Sequence, residues 1–110
     1  DMQAGMENMM GLWASSLGQA TLTLHAAGWL EGGLTLGYEK FINDIESLQM
    51  LAHLGQGIES DPDAMGFEAI AEVAPGGHFF STAQTMARYD SEFYQAVVAD
   101  FSNHGTWLAE

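Results

Sequence analysis

The chain has 110 residues, 47% hydrophobic and 15% charged, with three Trp, six Phe and three Tyr, a globular composition sufficient for one domain with a modest core. Fifteen acids face Lys40 and Arg88 alone, a formal net charge of −13, which argues against nucleic acid or anionic lipid as partners, since both need Lys and Arg to neutralise phosphate. The absence of Cys excludes a disulfide framework, thiol catalysis and Cys-type zinc sites.

No window reaches about 20 unbroken apolar residues, so no membrane span is expected. The start, "DMQAGMENMM", has no basic leader region and no Met at position 1, and reads as a processed or excised segment in a cytoplasmic protein. The charge serves solubility, or it attracts a basic partner surface or a cationic substrate.

Residues 2–17 are predicted to form a helix: Met2, Met6, Met9, Met10, Trp13 and Leu17 recur at three- and four-residue steps, with Asp1 as cap and Gly18 as terminator. The period then changes. "TLTL" at 21–24 alternates, and the run becomes apolar on both faces through "HAAGWL", which predicts a strand covered on both sides, as in parallel sheets. His25 reads as a core histidine. A second helix is expected from Thr35 to about residue 55, burying Phe41, Ile42, Ile45, Leu48, Leu51 and Ala52, with Lys40 and Glu46 outside.

"SDPD" at 60–63 starts a helix to about Val73, capped by Asp61 with Pro62 at its first position. "PGG" at 75–77 stops it. "STAQ" fits a capping box with Ser81 and Gln84 for a helix through Arg88. A last helix from Ser91 would carry Phe93, Tyr94, Val97, Val98 and Phe101. One parallel strand cannot satisfy its own backbone, so the pattern points to a fragment.

Two residues stand out chemically. Glu31 ends the apolar run immediately before Gly32 and Gly33, where the end of a barrel strand delivers side chains to a reaction site; its other reading is a solvent-facing loop acid. His78 follows Gly76 and Gly77 and precedes two phenylalanines, so it either handles a proton in a desolvated pocket or is a half-buried histidine on a backbone carbonyl. Tyr38 reads as packing, and His53 and His104 as surface. No metal site is expected: there is no HExxH, EF-hand loop or close His pair, and Asp44 and Glu46 point apart on a helix. No phosphate loop and no Ser-His-acid signature is present. The Met stripe reads as core; a helix lacking its natural cover would instead present it as an association surface.

The blocks "DMQAGMEN", "HAAGWLEGGLTLGYEKFINDIE" and "EVAPGGHFFSTAQTMARY", in this order, resemble the trimethylamine methyltransferase family over roughly Asp1 to Trp107. The resemblance implies a (β/α)₈ (TIM) barrel enzyme that moves a methyl group from a small methylated amine, such as trimethylamine or glycine betaine, to a corrinoid carried by a partner protein. Members with and without pyrrolysine exist. The matching positions are Gly28, Glu31, Gly32, Gly33, Tyr38, Gly76, Gly77 and His78. The expectation is then a mainly α-helical fragment with one or two short strands, the C-terminal part of such a barrel, since a closed barrel needs about 200 residues.

Within that reading Glu31 and His78 are the catalytic candidates: Glu31 places a cation, and His78 hydrogen-bonds or handles a proton. Gly32, Gly33, Tyr38, Gly76 and Gly77 lie in loops facing substrate or corrinoid. Residues 1–110 alone are expected to be an incomplete domain, inactive, binding no cofactor themselves and forming a homo-oligomer through exposed apolar faces. The competing class is a stand-alone helical binding or oligomerisation module, in which Glu31-Gly-Gly is merely a turn.

Overall fold

The computed structural model describes residues 1–110. It divides into two compact units: Asp1–Gly55 with Ala96–Glu110, and Gln56–Gln95.

In the first unit, helix α1 (Met2–Leu17) packs beside helix α2 (Tyr38–Gly55). The Asp1 carboxylate caps α1 by accepting from Ala4 N–H at 2.9 Å. The helix ends at Leu17, as its spacing predicts, but the left-handed position falls one residue later than expected. Gly18 keeps right-handed φ/ψ, and Gln19 takes the left-handed position at φ 53°. The N–H groups of Gln19 and Ala20 return to the carbonyls of Ser16 and Ser15, both at 3.0 Å, which is the Schellman closure.

The expected buried parallel strand does not form. Leu22 and Leu24 are 72% and 71% exposed, and positive φ values at His25 (55°) and Gly28 (81°) turn the chain twice where a strand would run straight. What remains is an antiparallel hairpin of β1 (Trp29–Leu30) and β2 (Thr35–Leu36), with Trp29 opposite Leu36 and Leu30 opposite Thr35. A tight 3₁₀ turn, Glu31–Gly33, begins its loop. Thr35 therefore belongs to a strand and does not open α2. A hairpin supplies its own ladder partner, so these residues need no parallel neighbours.

On α2 the buried residues are two acids, Asp44 and Glu46, while Phe41 and Ile42 are exposed. The outward placement expected for Glu46 is thus corrected. Its carboxylate accepts from Val97 N–H at 2.8 Å and Val98 N–H at 2.6 Å. Those two donors are thereby withdrawn from any i→i−4 ladder, which is why the helix expected from Ser91 is absent. A short helix α5 (His104–Trp107), capped by Asn103, follows.

In the second unit the Asp61–Pro62 signal makes a turn. Asp61 Oδ1 accepts from Asp63 N–H (3.0 Å) and Ala64 N–H (3.2 Å), Gly66 swings to φ 64°, and only then does α3 (Phe67–Glu72) begin. The Ala64 N–H foremost, and the Asp63 N–H, hold the Asp61 carboxyl below its ordinary value of 3.8. Gly77 N–H bonds to Ala74 O at 2.9 Å with Gly76 at φ 81°. That is a type II arrangement, with Pro75 second and a glycine third.

Helix α4 (Ala83–Arg88) is capped by Thr82, not Ser81. Fully buried, Thr82 donates its hydroxyl to Phe79 O at 2.9 Å and accepts from Thr85 N–H at 3.3 Å. Gln84 does not reach back to a cap; its amide donates to Asp63 O at 3.3 Å. Arg88 forks between Asp63 (2.6 Å) and Glu92 (2.9 Å), and these bonds raise its pKa further above its ordinary value.

Leu12 and Ala69 are the buried hydrophobic residues. The α1 stripe stays open, with Met2, Met6, Met10 and Leu17 all exposed, so its reading as core is corrected for this chain. No helix is long and apolar enough to cross a membrane.

Candidate functional site at the hairpin loop

The hairpin is anchored from below by one buried carboxylate. Asp44, 2% exposed, accepts from Gly28 N–H at 2.8 Å and from the Lys40 ammonium one helical turn earlier. Gly28 has to be glycine: at φ 81° a Cβ there would stand 2.6 Å from Leu36 Cδ1 and 3.0 Å from Phe41 Cβ. Gly28, β1, β2 and the start of α2 are thereby held as one piece, with Gly37 N–H on Gly28 O at 2.9 Å extending the ladder.

Above this anchor lies an open cleft of about 310 Å³. Helix α1 contributes Ala4, Glu7 and Asn8; the hairpin contributes Trp29 to Gly33; His25 and Lys40 complete it. Glu31 sits in the hairpin loop, exposed, and not at the end of a parallel strand. Thr35 Oγ1 donates weakly to its Oε2 at 3.4 Å. Glu7 accepts from Gln3 Nε2 at 2.8 Å. His25 is exposed, with its ring tilted 49° over Trp29 at 4.9 Å between centroids, so the core-histidine reading is corrected as well.

Backbone strain concentrates here. Three non-glycine residues in the chain have positive φ, Gln19, His25 and Glu31 (φ 50°), and the last two both line the cleft. Each such residue costs on the order of 1–3 kcal/mol, and strain of this kind gathers where a side chain must be aimed. Gly32 and Gly33, at φ 64° and 93°, continue the same turn without that cost.

The other sequence-derived candidates lie elsewhere. Tyr38 is 81% exposed at the first position of α2 and is not packing. His78, Gly76 and Gly77 belong to the second unit. His78 is exposed, not half-buried, before the 3₁₀ turn Phe79–Ser81, with its ring 6.4 Å from that of Phe80. Gly76 and Gly77 are accounted for by the turn: a Cβ at Gly77 would press on Ala74 O at 2.9 Å. No group of three His, Cys, Asp or Glu is placed to hold a metal ion.

The structure brings Glu31, Gly32 and Gly33 together with residues the sequence reading passed over: Trp29, Glu7, Asn8 and the supporting Asp44. Asp44 carried a legible signal. It stands three residues from Phe41 and four from Leu48, a charged residue on the very stripe assigned to the core.

The first unit is a helix–hairpin–helix scaffold that carries an acidic, aromatic cleft. Residues 1–110 match the trimethylamine methyltransferase (MTTB) family along their whole length, and the chain belongs to that family. It is 42% identical over all its residues to a glycine betaine methyltransferase of Desulfitobacterium hafniense, covering 23% of that protein. It is 31% identical over 99% of its length to the trimethylamine methyltransferase MttB2 of Methanosarcina mazei, covering 22%. It is also 35% identical over 87% of its length to an L-carnitine:corrinoid methyltransferase of Eubacterium limosum, covering 20%. The chain thus spans between a fifth and a quarter of these relatives. An antiparallel hairpin stands where a parallel barrel strand was expected, which corrects the expected C-terminal barrel segment.

Proposed function

We propose that this chain forms part of an enzyme that transfers a methyl group from a methylated amine to a corrinoid protein, and that the hairpin cleft receives the cationic nitrogen. One observation carries this reading: the two strained residues His25 and Glu31 both face a cleft that also holds Glu7 and Trp29. Carboxylates and an indole face are what a quaternary ammonium, which can donate no hydrogen bond, attracts from a protein. The cleft volume of about 310 Å³ lies at the low end for small-ligand sites. It does not fit a corrinoid ring, so the methyl acceptor is assigned to the partner protein and these residues are given no step on it.

The chemistry fixes what Glu31 does. A quaternary nitrogen loses its positive charge as the methyl group departs, so a carboxylate beside it stabilises the bound substrate more than the transition state. Glu31 is therefore a placing residue, and Glu31→Gln is expected to raise KM in the whole enzyme without lowering kcat. For the 110-residue chain the direct test is titration with tetramethylammonium. Binding that weakens about tenfold in Glu31→Gln supports the reading, and unchanged binding overturns it. His78, an exposed ring before a tight turn, is retained as a proposed hydrogen-bonding or proton-handling group.

The open stripe Met2, Met6, Met10 and Leu17 favours a second property, self-association through α1. Light scattering across a concentration series checks it: a mass that stays at 11.9 kDa throughout rules it out.

A further inference from the structure

Among the residues that line the hairpin cleft, His25 is the one whose side-chain type changes charge between about pH 5 and 8. It is exposed, so a proton reaches it from solvent. Its backbone is held at φ 55°, and its ring is tilted over the Trp29 indole with 4.9 Å between centroids. The ring also lies against the hairpin loop: a Cβ on Gly33 would stand 3.7 Å from its Nδ1. An indole attracts a cation that stands within about 6 Å of its ring centroid, and the imidazole already occupies that range. Protonated, it becomes a cation set on the same indole, in the same cleft as Glu7 and Glu31.

The other charged groups around the cleft do not act in this way. Glu7 comes from α1 and Glu31 from the hairpin loop, and carboxylates ordinarily titrate below about pH 5. Lys40, from α2, is paired with the buried Asp44, so together they add no net charge. An α-amino group also titrates near neutrality, and in the 110-residue chain Asp1 carries one at the head of α1; variants of His25 separate the two.

We propose that His25 is a built-in competitor of the amine. Neutral, it leaves the Trp29 face and the two carboxylates to the ligand; protonated, it takes their attraction for itself and repels the ligand, so the cleft opens to quaternary amines as pH rises. This rests on the reading of the cleft as the amine site.

The test titrates the 110-residue chain with tetramethylammonium, whose charge does not depend on pH, at about pH 5.5 and about pH 7.5 and constant ionic strength, following amide shifts by NMR. Binding is expected to be about fivefold weaker at the lower pH, the scale of one added charge acting through a wet cleft. In His25→Phe, which keeps an aromatic ring and cannot take a proton, the two affinities should become equal, whatever their common value. His25→Asn, better suited to a left-handed backbone, should be equally flat and decides the matter where the Phe variant does not fold. Equal affinities in the unmodified chain, or a pH dependence that persists in either folded variant, overturn the role of His25 and leave the amine site standing. Failure of the ion to bind the unmodified chain at either pH overturns the two together.

Discussion

Replacing Asp44 with Ala tests whether one carboxylate organises the hairpin and its cleft. The substitution removes the acceptor of Gly28 N–H and the counter-ion of Lys40. The side chains are 2% and 12% exposed, so water compensates neither loss well. Removing one member of a buried ion pair costs about 3–5 kcal/mol, because the surviving charge is left uncompensated. The orphaned Gly28 amide accounts for roughly 1–3 kcal/mol within that figure, not on top of it.

Asp44→Asn keeps an acceptor for Gly28 and loses only the charge, and is expected near half the effect. A paired change, Lys40→Met with Asp44→Leu, removes both charges together and is expected to cost far less than Asp44→Ala. Urea unfolding followed by circular dichroism measures all three. A cost below about 1 kcal/mol for Asp44→Ala, at unchanged denaturant slope, would refute the anchoring role.

Other outcomes follow from single observations. Gln19→Gly relieves the left-handed position that closes α1 and should stabilise by about 1 kcal/mol; an unchanged or lower melting temperature counts against the Schellman ending. Gly28→Ala sets a Cβ 2.6 Å from Leu36 Cδ1 at φ 81° and should destabilise by at least about 2 kcal/mol, read by the same unfolding assay. Asp61 and Asp100 have folded pKa values below the ordinary 3.8, set chiefly by the N–H groups of Ala64 and Ser102. Their unfolded forms hold protons more tightly, so this stability is complete above pH 3.8 and is lost as pH falls below it. Asp61→Asn should flatten the melting-temperature profile there by lowering the neutral-pH value while leaving the acid end little changed.

What the sequence revealed was what depends on near neighbours. Helix α1 with its Asp1 cap, the span of α2 and the stop at "PGG" rest on contacts within a few residues, which periodicity and turn chemistry encode. The failures were of longer reach. "TLTLHAAGWL" has strand composition, but left-handed turns at His25 and Gly28 break it. The helix expected from Ser91 lost its donors to Glu46, 51 and 52 residues away. Glu31, singled out from its glycines as the end of a strand, lies in a hairpin loop, because the chain reverses there within a few residues.

The charge distribution separates attraction from selection. Both cations of the chain are committed internally, Lys40 to Asp44 and Arg88 to Asp63 and Glu92, so its net charge of −13 acts on any approaching ion without a compensating basic patch. Such a field concentrates a monovalent cation and weakens steeply with added salt, as the screening length falls from about 30 Å at 0.01 M to about 10 Å at 0.1 M. The affinity for tetramethylammonium should therefore fall several-fold between 0.01 and 0.1 M salt. An affinity that stays flat over that range would mean that the long-range field contributes nothing and that contact in the cleft alone holds the ion.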